Sequence, residues 1–182
     1  MTGAATKKAL LVIDVQRGLF DPEPRPFEAD VVVQRINALA EKARAAGAPV
    51  VFIQHETPTD ELAHGSERWT LEPGLVVKPG DAHLRKTTPD SFLRSELGEM
   101  LAGWGTEEVV VCGYATDFCV DSTTRGAVSR GFPVTLAADA HTTHDKPYAS
   151  AALIRTHHNA ILGWTESFGP AITVVPAADI RF

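Results

Sequence analysis

The sequence predicts a three-layer α/β/α sandwich around a mainly parallel, doubly wound sheet of the Rossmann-like kind. Short runs that are apolar on both faces alternate along the chain with segments of helical periodicity. Such strands belong to parallel sheets, because right-handed crossovers place helices over both faces. The chain has 182 residues with no internal repeat and no linker, which predicts a single domain over residues 1–182.

The first half of the chain predicts two strands and one helix. Residues 9–13 form an apolar run that predicts the first strand, and residues 49–54 predict the second. Between them, residues 29–46 carry apolar side chains at helical spacing, and Gly47 follows as a C-terminal cap. From residue 56 to residue 89 the regularity fails and His, Pro, Gly and Thr are frequent. An irregular segment of this length in a compact domain predicts a functional lid or a substrate wall.

The second half alternates more regularly. A helix is predicted to begin near Ser91, and Gly131 ends a later one. The remaining predicted elements are strands at 109–111, 133–137 and 171–175 and helices at 116–130 and 148–162.

Composition excludes several classes of function. The 17 Lys and Arg against 23 Asp and Glu give a net charge of −6, and no basic cluster exceeds two residues, so no nucleic-acid partner is predicted. No apolar run approaches the about 20 residues of a membrane span. The segment before the first strand lacks the apolar length and cleavage site of a signal peptide, which predicts a cytoplasmic protein. Cys112 and Cys119 lack the CxxC spacing of a zinc knuckle or a dithiol redox pair.

Two polar residues follow predicted strands, at the end of an open α/β sheet where ligands collect, and a third, Lys86, closes the irregular segment before the helix predicted near Ser91. Asp14 ends the first strand and is placed to accept a proton in a partly dry cleft. Cys119 lies in the first turn of a helix with Thr116 or Asp117 as predicted N-cap, where the helix dipole would lower the pKa of the thiol. The positive charge of Lys86 would hold the Asp14 carboxylate and the Cys119 thiolate together. Taken singly, each residue has a plain alternative: Asp14 as a solvated strand-end carboxylate, Cys119 as a small buried hydrophobe, and Lys86 as a solvated lysine, which most lysines are.

Three motifs occur in order: ALLVIDVQRGLF around Asp14, LRKTTPDSF around Lys86, and GYATDFCVDSTTRGAVSRGFPVTLAADAHTT around Cys119. Together they resemble the isochorismatase-like cysteine hydrolases, a superfamily that includes nicotinamidase, N-carbamoylsarcosine amidase and streptothricin hydrolase, over nearly the whole chain. The resemblance implies that these three residues form a catalytic triad. It also implies a cis peptide bond between Tyr114 and Ala115 and an oxyanion hole made by the N–H groups of Ala115 and Cys119.

The same resemblance implies hydrolysis of the C–N bond of a small amide, ureide or cyclic amide through a thioester. Nicotinamidases of this superfamily carry an Asp and several His as metal ligands after the second strand, whereas residues 54–69 here read QHETPTDELAHGSERW, with only His55 and His64. No metal and no cofactor are therefore predicted, and nicotinamide becomes a disfavoured substrate. Siderophore isochorismatases cleave a vinyl ether without the cysteine, so Cys119 favours amide hydrolysis. Vinyl-ether hydrolysis and a non-catalytic binding module of the same fold are the alternatives.

Residues beside these motifs are predicted to form the walls of the substrate pocket, since such pockets are mostly apolar with few polar anchors. These residues are Gln16, Phe20, Trp69, Tyr114 and Phe118. Plain packing is the alternative for Trp69. The sequence HHN at residues 157–159 is predicted to pack its helix or to contact a subunit. Because members of the superfamily commonly form dimers or tetramers, the resemblance also implies a homo-oligomer.

Overall fold

A computed structural model of the protein describes residues 7–182. The first six residues of the predicted domain, and with them most of the segment before the first strand, lie outside the described residues. Six parallel strands form one sheet in the order β3-β2-β1-β4-β5-β6, with helices on both faces. The predicted three-layer, doubly wound sandwich is confirmed. None of the helices in residues 7–182 is long and apolar enough to cross a membrane.

The observed elements lie close to the predicted ones. The strands are β1 (Lys8–Ile13), β2 (Val50–His55), β3 (Ala82–Lys86), β4 (Glu108–Tyr114), β5 (Val134–Thr142) and β6 (Ile172–Val175). The α-helices are α1 (Arg17–Phe20), α2 (Ala29–Ala45), α3 (Leu97–Trp104), α4 (Asp121–Ser129) and α5 (Ala151–Gly163), and a π-helical turn (Thr116–Val120) precedes α4.

The sheet separates two apolar cores, and β1 contributes side chains to both of them. Leu10 and Val12 face the core beneath α2, whereas Leu11 and Ile13 face the core beneath α3, α4 and α5. Each of these buried aliphatic side chains contributes about 1.5–3 kcal/mol. Burial on both faces of β1 is the reason that its sequence is a continuous apolar run rather than an alternating one.

The chain reverses its direction of travel across the sheet between β1 and β4. From β1 it adds β2 and β3 on one side, and it then returns to add β4, β5 and β6 on the other. In the register of these two strands Ile13 pairs with Gly113, so both strands end at the same edge. Ligands of open α/β sheets bind beyond the carboxyl ends of the strands at such a reversal. Asp14 and the π-helical turn both start at this edge.

Two predictions about the middle of the chain are wrong. The segment 56–89 is not free of regular structure, because β3 lies within it, and the helix expected near Ser91 begins only at Leu97. β3 is an edge strand of five residues in which only Leu84 and Lys86 are buried. Its sequence AHLRK therefore lacks the apolar run that marked the central strands.

The predicted helix 116–130 is divided in two, and its predicted N-cap is wrong. Ala115 occupies the N-cap position, and no side chain caps the turn. The Thr116 hydroxyl is instead hydrogen bonded to His141, and the Asp117 carboxylate accepts from the Thr143 hydroxyl. Both polar side chains are thus held by tertiary partners, which compete with the local capping bond.

Gly113 is expected to tolerate no side chain. Its φ is +115°, and an added Cβ would lie 2.6 Å from the backbone N of Ile13 and closer still to the Ile13 carbonyl oxygen. We expect Gly113→Ala to lower the free energy of unfolding by about 2 kcal/mol or more in urea titrations. Gly47→Ala is the control, since Gly47 shares the positive φ but has nothing within 4 Å of its Cβ position. Equal losses in the two variants would show that the contact with Ile13 is unimportant.

Candidate active site

A buried ion pair lies at the carboxyl ends of β1 and β3. Lys86 Nζ is 2.7 Å from Asp14 Oδ2, and each residue is only 1% exposed. The two positions are 72 residues apart in sequence and were predicted to meet. Removing two charges from water costs several kcal/mol per ion, and close pairing with further hydrogen bonds is needed to offset it. A pair of this kind is poor evidence for stability, but it places a carboxylate and an ammonium in a dry site.

The Lys86 ammonium has an acceptor for each of its three N–H groups. Besides Asp14 Oδ2, these are the Thr88 carbonyl oxygen at 3.2 Å and His55 Nδ1 at 3.4 Å. His55 pairs with Lys86 in the register of β2 and β3, which places the imidazole beside the ammonium. Burial and then the charge of Lys86 lower the pKa of His55, so a neutral ring faces the ammonium. Lys86 is therefore fixed in direction as well as position.

Asp14 has a strained backbone conformation and a side-chain oxygen without a hydrogen-bond partner within residues 7–182. Its backbone is left-handed, with φ at 50°, which is strained for a residue other than glycine. Its Oδ1 is buried and has no hydrogen-bond partner within residues 7–182. A buried carboxylate oxygen without a partner is costly, and strain and unsatisfied polar atoms concentrate at functional sites. Oδ1 is available to accept a proton.

The Cys119 thiol is the third member of the site. Its pKa is raised to about 12, first by burial and then by the negative charge of Asp14, against which the positive charge of Lys86 acts. The predicted lowering of this pKa by the helix start is therefore wrong, because desolvation and the nearby carboxylate outweigh it. Side-chain interactions with both Asp14 and Lys86 contribute to this pKa, so the structure brings all three predicted residues together. The resting group is a thiol beside a proton acceptor.

The turn that carries Cys119 is anchored at Ala115. The Ala115 carbonyl oxygen accepts from the N–H groups of Phe118 and Val120, both at 3.0 Å. The Tyr114–Ala115 peptide bond is cis, as the resemblance implies.

The family model for the isochorismatase domain matches residues 8–167. The chain belongs to the isochorismatase family. It is 39% identical over 153 residues to streptothricin hydrolase of Streptomyces noursei. The matched region covers 81% of this chain but only 60% of the length of that relative. Nicotinamidase 3 of Arabidopsis thaliana is 31% identical over 162 residues, covering 80% of this chain and 78% of that protein. The crystal structure of an isochorismatase family protein superposes with a TM-score of 0.85 and 32% identity, covering 94% of this chain and 99% of that chain.

Isochorismatase family members are hydrolases, and several relatives of this chain are amidases. The fold and the family agree with the expectations from the three motifs.

Two of the residues predicted to contact substrate are fully buried in this isochorismatase-family site. Gln16 is fully buried, and its side-chain amide donates to the carbonyl oxygens of Trp69 at 2.8 Å and His55 at 3.0 Å. Its Oε1 accepts from the His55 N–H at 2.8 Å, so no polar atom is left for a ligand. Phe20 is also fully buried and packs edge-on against Tyr114, with ring centroids 5.8 Å apart. The contact of these two side chains with substrate stays a prediction.

Three of the predicted wall residues keep exposed surface. Phe118, beside Cys119, is 58% exposed. Tyr114 is partly buried, and its hydroxyl is 2.8 Å from His144 Nδ1. Trp69 is also partly buried and packs edge-on against His64, with ring centroids 4.7 Å apart. Their contact with substrate stays a prediction. Within residues 7–182 no group of three or more His, Cys, Asp or Glu side chains is arranged to hold a metal ion.

Sequence reasoning missed a buried histidine behind the site. His141 lies in β5, is fully buried and is hydrogen bonded to both Thr116 and Asn159. Burial lowers its pKa to about 4. The histidine stands within the motif quoted around Cys119, but one sequence does not show that its ring faces the π-helical turn.

Acid is expected to destabilise the fold through its buried histidines. The pKa of His141 falls from its usual 6.5 to about 4, so the unfolded chain binds more protons between these values. Stability is therefore full above about pH 6.5 and is lost as the pH falls towards about 4, by roughly 3 kcal/mol for this residue. The lowered pKa values of His55 and His144 add to the loss in the same direction. Urea titrations across this range measure it.

The variant His141→Gln tests this prediction. This variant should flatten the dependence of the unfolding free energy on pH between about pH 4 and 6.5. An unaltered slope in His141→Gln would contradict the assignment of the titration to this buried ring.

Proposed function

We propose that this chain is a cysteine hydrolase that cleaves the C–N bond of a small amide, ureide or cyclic amide through a thioester. The observation that carries the proposal is the buried Asp14–Lys86 pair beside the Cys119 thiol, with one carboxylate oxygen left without a partner. A nucleophile with an adjacent base that is itself oriented by a third group is the general arrangement of covalent catalysis. The catalytic residues proposed are Asp14, Lys86 and Cys119.

In the first half-reaction the Cys119 sulfur attacks the carbonyl carbon of the substrate while its proton passes to Asp14. Because the resting thiol is protonated at neutral pH, proton transfer accompanies attack rather than preceding it. Negative charge develops on the carbonyl oxygen, where the N–H groups of Ala115 and Cys119 would form the oxyanion hole. The tetrahedral adduct then breaks its C–N bond, and the amine or ammonia leaves with the proton from Asp14.

In the second half-reaction water attacks the thioester carbonyl carbon and gives a proton to Asp14. The C–S bond breaks, the acid is released, and the proton returns to the sulfur, which restores the resting thiol. Lys86 keeps its contact with Asp14 Oδ2 throughout, so that the other carboxylate oxygen, Oδ1, carries the proton. The ammonium also stabilises the sulfur anion that forms as the thioester collapses.

The choice of an amide over an ether rests on the nucleophile. Cys119 lies beside a base in a site of very low exposure, which suits covalent catalysis and has no use in direct hydrolysis of a vinyl ether. The relative named as a nicotinamidase is an amidase by name, which supports the same choice. Vinyl-ether hydrolysis and a non-catalytic binding module remain the alternatives. A small-molecule substrate, a homo-oligomer and a cytoplasmic location stay predictions.

The proposal is tested by release of ammonia or amine from a panel of linear amides, ureides and cyclic lactams at neutral pH. Turnover of at least one of these classes is expected, with a thioester adduct on Cys119 trapped by acid quenching and located by peptide mass spectrometry. Turnover without any adduct on Cys119 would contradict the covalent route. Binding of panel compounds without turnover would favour the non-catalytic module.

A further inference from the structure

A series of side-chain hydrogen bonds runs from the partly buried Asn159 in α5 to the turn that carries Cys119. Asn159 Nδ2 donates to the Ala138 carbonyl oxygen at 2.9 Å, and Asn159 Oδ1 lies 2.9 Å from His141 Nε2. On the other side of the ring, His141 Nδ1 lies 2.8 Å from the Thr116 hydroxyl. His141 and Thr116 are both fully buried. Three elements, α5, β5 and the π-helical turn, are thereby connected through side chains.

The hydrogen bond from Asn159 to the Ala138 carbonyl oxygen determines which groups donate and which accept in the other two hydrogen bonds. Because the Asn159 amide nitrogen donates to a carbonyl oxygen, its Oδ1 faces His141 and must accept. His141 therefore carries its proton on Nε2, and its bare Nδ1 accepts from the Thr116 hydroxyl. The imidazole is neutral, because burial lowers the pKa of His141 to about 4, and with its single proton on Nε2 the ring leaves Nδ1 free to accept.

We propose that Thr116, His141 and Asn159 form a positioning relay that fixes the π-helical turn and so the place of the Cys119 sulfur relative to Asp14 and Lys86. Thr116 is the first residue of the turn, which has no side-chain cap of its own. π-Helical geometry is rare and survives as single turns where the surroundings hold it. The hydrogen bond from the Thr116 hydroxyl to His141 therefore fixes the start of the turn, as a side-chain cap would otherwise do.

The relay residues position the nucleophile and are not themselves catalytic. Their hydrogen bonds are all to one another or to backbone, and none is to Asp14, Lys86 or Cys119. The relay gives Asn159, the last residue of the HHN sequence, a role beyond packing α5 on the sheet. Its effect on turnover rests on the proposed function, but its effect on the thiol does not.

The test compares three variants of buried threonines. Thr116→Val keeps the side-chain shape and loses the hydroxyl, whereas Thr116→Ser keeps the hydroxyl. Thr124→Val is the matched control, because Thr124 is fully buried nearby in α4 and its hydroxyl has no partner within residues 7–182. We expect kcat to fall about 10²-fold in Thr116→Val with KM within about twofold, and to stay within about threefold of wild type in the other two. A raised KM with kcat preserved in Thr116→Val overturns the relay.

A second readout needs no substrate. Cys119 is alkylated with iodoacetamide at about pH 8 and quantified by mass spectrometry, with the fully buried Cys112 as internal reference. Alkylation is expected to be several-fold slower in Thr116→Val than in wild type or Thr124→Val, since the sulfur is displaced from its proton acceptor. An equal or faster rate in folded Thr116→Val overturns the proposal. If wild type cleaves none of the panel compounds while Thr116→Val still slows alkylation, the proposed function fails and the relay stands.

Should Thr116→Val fail to fold, Asn159→Ala gives the same comparison from the partly exposed end of the relay. Slower alkylation of Cys119 is again the supporting result, and an unchanged rate overturns the relay.

Discussion

Cys119→Ala is expected to lower kcat/KM for amide hydrolysis by about 10³-fold or more, because the variant has no nucleophile to form the thioester. Residues that act as a unit in covalent catalysis lose nearly all of their combined effect when one is removed. The fold should be little changed, since one sulfur atom at the edge of the core is removed. The measurement is the rate of ammonia or amine release over a series of substrate concentrations that extends well below KM, with near-ultraviolet circular dichroism as the check on folding.

Cys112→Ala is the matched control for this experiment. Cys112 is the other free cysteine, fully buried in β4, and its thiol lies 3.5 Å from the Leu11 carbonyl oxygen rather than in the site. Burial alone raises its pKa. The variant is expected to keep wild-type turnover. Activity that survives Cys119→Ala would instead support direct hydrolysis of an ether or another route without a covalent intermediate.

The sequence was sufficient for the parts of the site that depend on strand ends. Asp14 and the turn bearing Cys119 both follow central strands that are apolar on both faces, and the edge where such strands end follows from topology alone. Lys86 was found differently, since the strand before it is a short edge strand without an apolar run. Its position came from the LRKTTPDSF motif and the resemblance.

The parts that could not be predicted depend on which groups face each other in three dimensions. The direction of the Cys119 pKa shift is a balance of burial, an anion and a cation, and neither burial nor distance can be obtained from spacing along the chain. Gln16 follows Asp14 closely enough to suggest substrate contact, yet its amide is used to hold the loop at Trp69. The strand β3 alternates between buried and exposed residues, which is weak evidence in a segment of five.

Lys86→Met is expected to damage both activity and stability. Asp14 would keep a carboxylate that is 1% exposed while losing its only ion-pair partner within residues 7–182, which is 2.7 Å away. Removing one member of a buried pair costs about 3–5 kcal/mol, because the remaining charge is neither solvated nor paired. Turnover is expected to fall by about 10²-fold or more, since the carboxylate and the sulfur anion both lose their counter-ion. Urea titration and the amine-release assay measure the two effects.

A double variant separates the electrostatic effect from the loss of the lysine side chain. Asp14→Asn combined with Lys86→Met removes both charges and leaves groups of similar size, and buried pairs replaced in this way often become neutral or stabilising. We expect the double variant to recover most of the stability lost in Lys86→Met and none of the activity, because Asn has no carboxylate to accept the thiol proton. If the double variant were as unstable as Lys86→Met, the loss would come from packing of the lysine stem rather than from the orphaned carboxylate. Normal turnover in Lys86→Met would remove the ammonium from the mechanism and leave Asp14 and Cys119 as a dyad.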